Sequence, residues 1–186
     1  MPHIDVGNDA PGIIGLMRFR PETADPLNDL ADAMLRAPGP LSRGERELIA
    51  SYVSHGNGCA FCTGGHSEVA ARELEGGMPA VRRVLDDHDF SGFPEKIGAL
   101  LTIAGLVRKG GKEVTEESVT AARKAGATDV EIHDTVLIAA AFCMYNRYVD
   151  GLAAPLPADP ASYGRQMADR VVAHGYANGP GARREE

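Results

Sequence analysis

An all-α fold is predicted by three features of the chain. Helix-start and helix-stop signals recur along its length, and apolar residues repeat at three- and four-residue spacing. No segment alternates apolar with polar residues as a half-buried strand would. The 186 residues are enough for one ordinary domain, and 44% hydrophobic against 24% charged residues favours a packed core over a disordered chain.

Each helix has its own local reason. Asp25-Pro26 reads as an N-cap followed by proline at the first helical position, opening a helix through Leu27, Leu30, Met34 and Leu35 that Pro38-Gly39-Pro40 ends. Ser42-Arg43-Gly44-Glu45 has the form of a capping box, and Leu48, Ile49, Tyr52 and Val53 follow as one apolar stripe. Gly56-Asn57-Gly58 supplies a tight turn. The next helix starts near Cys59 and runs to about Leu74 before Gly76-Gly77, and a shorter one follows from Pro79 to about Asp87. Pro94 opens Glu95 to Arg108, Gly110-Gly111 breaks the chain, and Thr115 caps a helix through Lys124. Thr128-Asp129-Val130-Glu131 is a second capping box, leading to about Tyr148. Within it Val136 to Met144 is apolar on every side, as in a core helix or a subunit interface. Asp159-Pro160 starts a last helix through Val172. The expectation is a single-domain bundle of about eight helices over residues 1–176, with its motif core at 42–75 and a flexible tail at 177–186.

Composition removes several classes of function. A net charge of −7 with no basic cluster argues against nucleic acid and against anionic membranes, and the absence of Trp argues against base-stacking platforms. The longest uncharged apolar run, 135–146, is about half of the roughly 20 residues a spanning helix needs. The N-terminus has neither a basic nor an apolar signal region, so the expected location is cytoplasmic. Three cysteines, two of them spaced C-x-x-C, suit a redox or metal site in a reducing compartment rather than a disulfide scaffold.

The chemistry concentrates between Glu47 and His66. Cys59, Cys62 and His66 stand at i, i+3 and i+7, within a narrow arc of one helical face. Both cysteines fall in the first turn, where unpaired N–H groups and the helix dipole favour a thiolate. A histidine one turn beyond Cys62 can take or relay the proton, and Glu47 on the preceding helix can orient that histidine. Peroxide reduction needs such a set: a reactive thiolate, a second thiol three residues away, and a proton relay.

The spacing Glu47, Cys59, Cys62, His66 resembles the E…C-x-x-C-x-x-x-H signature of the alkylhydroperoxidase D-like proteins, in the wider carboxymuconolactone decarboxylase superfamily. Asn57 to His66, with Phe142-Cys143-Met144-Tyr145-Asn146-Arg147, looks most like its peroxidase-related branch. The resemblance implies an all-helical oligomer, commonly a trimer or hexamer, that reduces alkyl hydroperoxides in antioxidant defence without a bound cofactor or metal. It implies Cys62 as the peroxide-attacking thiol, Cys59 as the resolving thiol that meets a thiol or dithiol reductant, and His66 with Glu47 as the relay. Well-studied members carry a histidine between the cysteines where this chain has Phe61.

Three alternatives stand beside this. Cys59, Cys62, His66 and His55 could ligate a structural zinc, although no second Cys/His cluster is at hand. The chain could be a lactone decarboxylase, a branch that generally lacks the C-x-x-C pair, or a non-enzymatic oligomeric redox sensor. Arg147, in the apolar helix, is expected to pair with a carboxylate such as Asp150, and Cys143 to be core.

Overall fold

A computed structural model describes residues 1–177, and among them the regular structure is nine α-helices and one short 3-10 turn at Gly111–Glu113. The helices are α1 (Gly12–Phe19), α2 (Pro21–Leu35), α3 (Arg43–Gly56), α4 (Ala60–Glu73), α5 (Gly77–Asp86), α6 (Glu95–Lys109), α7 (Glu116–Lys124), α8 (Asp129–Gly151) and α9 (Pro160–His174). The all-α expectation holds, with one helix more than foreseen. Residues 178–186, most of the expected tail, lie outside the described residues.

The capping signals act as the sequence predicts. Ser42 accepts from the Glu45 N–H while Glu45 reaches back to the Ser42 N–H, and the same reciprocal pair forms between Thr128 and Glu131. Thr115 and Ser118 close a third box, and Asp159 caps α9. Two expectations at the N-terminal end fail. α2 begins at Pro21 rather than after Asp25, and Pro26 sits inside it, where its ring replaces the N–H that would have bonded to the Glu22 carbonyl. Pro21 supplies the preset first turn that Pro26 was expected to supply. α1 was not foreseen at all: its N-cap, Pro11, makes no side-chain cap bond and no acidic residue occupies its first turn.

α3 is the centre of the bundle. It packs along α4, and also against α8, α6 and α5. Its stripe Leu48, Ile49, Ala50 and Val53 is sealed from solvent together with Leu100, Leu101 and Ile103 of α6 and Ile138 and Phe142 of α8. α9 lies along α4, and α1 and α2 lie beside α8. α4 and α9 run in the same direction, since Phe61 meets Tyr163 and Gly65 meets Met167. Gly65 leaves room for the Met167 side chain, because a Cβ there would run into its sulfur.

The all-round apolar stretch of α8 divides between two surroundings. Ile138, Ala139, Phe142 and Cys143 face the core, whereas Val130, Leu137 and Met144, seven residues apart, form an exposed stripe. The expected pairing of Arg147 with a carboxylate such as Asp150 is corrected: no ion pair of Arg147 forms among the described residues. Arg147 is exposed and donates to the Cys143 carbonyl at 2.9 Å, so the helix turns its neighbour Asn146 inward instead. No helix among the described residues is long and apolar enough to cross a membrane.

Two buried cations tie the chain together. Arg46 donates to the carbonyls of Leu41 and Ala37 and holds the loop between α2 and α3. Arg36 pairs with Glu73 at 2.7 Å and reaches the Val172 carbonyl, fastening the end of α9 to α2 and α4.

Candidate active site

The loop between α3 and α4 turns the chain back so that α4 starts beside the end of α3. Gly58 takes a left-handed conformation (φ +77°), and the Cys59 N–H bonds to the Ser54 carbonyl. Cys59 is thereby the N-cap of α4, and Cys62 stands three residues into the helix. Both thiols are free and buried, as is Cys143.

All four residues expected from the sequence are brought together. Glu47 is fully buried on α3 and its Oε2 lies 2.7 Å from His66 Nδ1 across the hairpin. Cys62 and His66, one turn apart on α4, line one cavity. The surrounding polar groups orient the imidazole: Nδ1 carries its proton toward the Glu47 carboxylate, which leaves Nε2 as the nitrogen that gives or takes a proton. The imidazole is held further by the Phe142 ring, edge-on at 4.6 Å between centroids.

The third member of this cluster was missed by sequence reasoning. Tyr176, beyond the end of α9, is buried, and its hydroxyl donates to Glu47 Oε1 at 2.8 Å while lying 3.1 Å from His66 Nδ1. The carboxylate is therefore gripped on both oxygens. The Tyr176 N–H is bonded to Asp32 on α2 at 2.8 Å, and Gly175 (φ +73°) makes the turn that sends the tyrosine inward. Burial and the adjacent Glu47 carboxylate push the phenol well above its ordinary pKa, so it stays a donor.

The two thiols have opposite proton affinities. The Cys59 pKa is raised, first by its bond to Cys62 and then by burial, with Asp150 as a further acceptor. Cys62 is lowered, first by the Cys59 thiol and then by the charge of His66 and the Asn146 amide, against burial that acts the other way. The arrangement is a Cys59 S–H donated to a Cys62 thiolate. Asn146 is itself fixed, its amide donating to Ser54 Oγ at 3.0 Å and its oxygen accepting from Asn57 at 2.8 Å. Asn146 and Asp150, one turn apart on α8, are thus contributors that sequence reasoning missed: Asn146 read as an interruption of an apolar helix and Asp150 as a partner for Arg147.

Cys62 opens onto a cavity of about 290 Å³, near the lower end of the range for small-molecule sites. Ile13, Met17, Leu27, Phe142 and Met167 supply apolar wall, and Phe61 lies on it, its ring 5.7 Å from Tyr163. Phe61, the position where a histidine was the expected family residue, is therefore a wall of the cavity and adds no second imidazole. His55 is exposed, and among the described residues no group of three or more Cys, His, Asp or Glu is placed to hold a metal ion. Ser51 is turned to the Leu48 carbonyl, and His88 stands exposed at a helix end.

Comparison with known proteins gives the same frame. Residues 21–75, which hold α2, α3 and α4, match the carboxymuconolactone decarboxylase family model. The chain superposes with a TM-score of 0.74 on an alkylhydroperoxidase AhpD core, an uncharacterized peroxidase-related protein from Ralstonia eutropha JMP134. The identity is 26%, over 84% of this chain and 82% of that one. A peroxidase-related protein from Silicibacter sp. TM1040 shares the fold, with a TM-score of 0.72 and 23% identity over 81% of this chain and 78% of that one. No curated protein matches the sequence.

Proposed function

As a member of the carboxymuconolactone decarboxylase superfamily with the alkylhydroperoxidase D-like fold, this chain is, we propose, a thiol-dependent peroxidase that reduces organic hydroperoxides through Cys62 and Cys59. The observation that carries the proposal is geometric: Cys62 lines the cavity beside His66, which lies 2.7 Å from the buried Glu47, and a second free, buried thiol, Cys59, stands three residues before Cys62. A lactone decarboxylase would have no use for that pair.

The chemistry follows from the groups present. The Cys62 thiolate attacks the outer oxygen of the hydroperoxide, the O–O bond breaks, and the leaving alkoxide takes a proton from the His66 imidazolium. Cys62 is then a sulfenic acid and the product an alcohol. Glu47 stabilises the imidazolium before transfer and fixes its tautomer afterwards. Cys59 next gives up its proton, for which Asp150 is the acceptor at hand, and attacks the Cys62 sulfur. Hydroxide leaves as water, a disulfide forms, and an external thiol or dithiol returns the pair to the reduced state. No step calls for a cofactor or a metal.

Two further parts belong to the proposal. Assembly into a trimer or hexamer is supported by the exposed Val130, Leu137 and Met144 stripe on α8. A cytoplasmic setting suits a dithiol that must be re-reduced.

The test is a thiol count and intact mass on the reduced protein before and after one equivalent of cumene hydroperoxide. The expected result is loss of two thiols and two hydrogens, mapped to a Cys59–Cys62 peptide pair. Three free thiols and an unchanged mass would overturn the proposal.

A further inference from the structure

The cavity beside Cys62 is furnished for more than a neutral alkyl chain. α9 presents Tyr163, Gln166, Met167 and Arg170 to it at i, i+3, i+4 and i+7, so one stripe of that helix lines the wall. Arg170 is the last of the stripe. No Asp or Glu lines the cavity, and the guanidinium makes no ion pair among the described residues. Its hydrogen bond is a long one, 3.5 Å to the Gly175 carbonyl. A half-buried cation on an apolar wall without a counter-charge is an unfavourable arrangement unless a ligand supplies the anion.

A second unpaired donor sits on the same wall. The Nδ2 of Asn28, on α2, is buried and has no acceptor among the described residues. Buried amide groups are nearly always bonded, so a ligand acceptor near this wall is what the site lacks.

The spacing completes the argument. Because α4 and α9 run side by side in the same direction, Phe61 marks the level of Tyr163 and Gly65 that of Met167. Cys62, next to Phe61, stands toward the Tyr163 end of the stripe, and Arg170 lies seven residues beyond Tyr163, about 10 Å at 1.5 Å per residue. The thiol and the cation stand toward opposite ends of one apolar cavity. At about 290 Å³ the cavity is near the lower end of small-molecule sites, which suits a ligand of medium chain length.

We infer that the substrate class of this site is a medium-chain organic hydroperoxide carrying a carboxylate, its peroxide at Cys62 and its carboxylate on Arg170, with Asn28 as a second donor to the bound ligand. Arg170 is then a specificity residue: it adds affinity for the anion and takes no part in the bond changes. Hydrogen peroxide would leave both the apolar wall and the cation unused. The inference rests on Cys62 being the attacking thiol, but the binding it predicts does not require turnover.

That separation sets the experiment. Binding of octanoate, a carboxylate of medium chain length, and of 1-octanol is measured by calorimetry on the reduced protein and on its Arg170→Gln and Arg170→Lys variants. The expected result is octanoate binding at least tenfold tighter than octanol, loss of that preference in Arg170→Gln, and partial recovery in Arg170→Lys. In turnover, kcat/KM for a carboxylated hydroperoxide should fall at least tenfold in Arg170→Gln, through KM. For its methyl ester kcat/KM should fall much less, so that the preference for acid over ester collapses in the variant. Equal affinity for acid and alcohol, no binding of either, or the same preference in Arg170→Gln would overturn the inference. Octanoate binding that depends on Arg170, in a protein that consumes no hydroperoxide, would instead overturn the proposed activity and leave the ligand class standing.

Discussion

The α3–α4 hairpin holds Glu47, Cys59, Cys62 and His66 within 20 residues of chain, whereas α9 and the turn after it bring Tyr163, Arg170 and Tyr176 from far along the chain. The hairpin is fixed by short-range devices: a capping box at Ser42, the glycine turn at Gly58, and the Cys59 N–H bonded to Ser54. The C-terminal segment is fixed by tertiary bonds, from Arg36 to the Val172 carbonyl and from the Tyr176 N–H to Asp32. The division of labour follows. The hairpin carries the groups that exchange electrons and protons, and α9 shapes what reaches them. Substitutions in the first region should therefore act on chemistry, and those in the second on binding and on the setting of the histidine.

The largest effect should come from the thiols. Cys62→Ser is expected to abolish hydroperoxide consumption altogether, because a hydroxyl at that position has no comparable nucleophile to offer. Cys59→Ser should keep one stoichiometric turnover and stop there, leaving a Cys62 sulfenic acid that a dimedone adduct would reveal by mass. If instead Cys59→Ser consumes no hydroperoxide while Cys62→Ser forms the dimedone adduct on Cys59, the assignment of the two thiols is reversed.

Glu47→Gln comes next. Neutralising the buried carboxylate weakens the imidazolium beside Cys62, and general acid catalysis by a positioned histidine is worth about 10²- to 10⁴-fold. A fall in kcat of about 10²-fold is expected. The pH profile of Cys62 alkylation gives the sign. A thiol pKa held below the ordinary value means that reactivity climbs with pH and levels off earlier than for an unperturbed cysteine at about 8.5. Weakening the His66 charge should move that midpoint upward, toward the ordinary value. A profile in Glu47→Gln that coincides with wild type would show that the carboxylate acts on fold alone.

Much of the hairpin was legible because its signals are local. E…C-x-x-C-x-x-x-H fixes four residues relative to one turn, and the cap boxes fix where each helix begins. What was not legible depends on partners distant in sequence. Asn146 reads as a polar break in an apolar helix until α8 is seen to bring it against Ser54 and Asn57. α1 has no cap bond to announce it and takes its place by packing beside α2 and α8. Pro26 misled because a proline near a helix start looks the same whether it opens the helix or sits in its second turn. Tyr176 lay at the edge of the segment expected to be a tail, and nothing in Gly175-Tyr176-Ala177 distinguishes a buried tyrosine from an exposed one. Only the pairing of Asp32 with its backbone does that.

Tyr176 is also where the comparison is most finely tested. Its hydroxyl gives Glu47 a second bond and closes the cavity behind His66, without reaching the thiols through any bond of its own. It is a positioning residue, and removing one such bond costs about 1 kcal/mol, which is about fivefold in rate. Tyr176→Phe keeps the ring against His66 and deletes only the hydroxyl, leaving one Glu47 oxygen buried without its donor. The expected outcome is a fall in kcat of about five- to tenfold with KM unchanged, and an upward displacement of the Cys62 alkylation midpoint smaller than that in Glu47→Gln. A purely structural role for the tyrosine would lower thermal stability and leave that midpoint where it was. The double variant separates the two further. If Tyr176 acts only through Glu47, adding Tyr176→Phe to Glu47→Gln should cost much less than it does alone, because the carboxylate it serves is already gone. Additive losses would mean that the hydroxyl works on His66 directly, across the 3.1 Å to Nδ1, and the C-terminal segment would then belong to the chemistry as fully as the hairpin does.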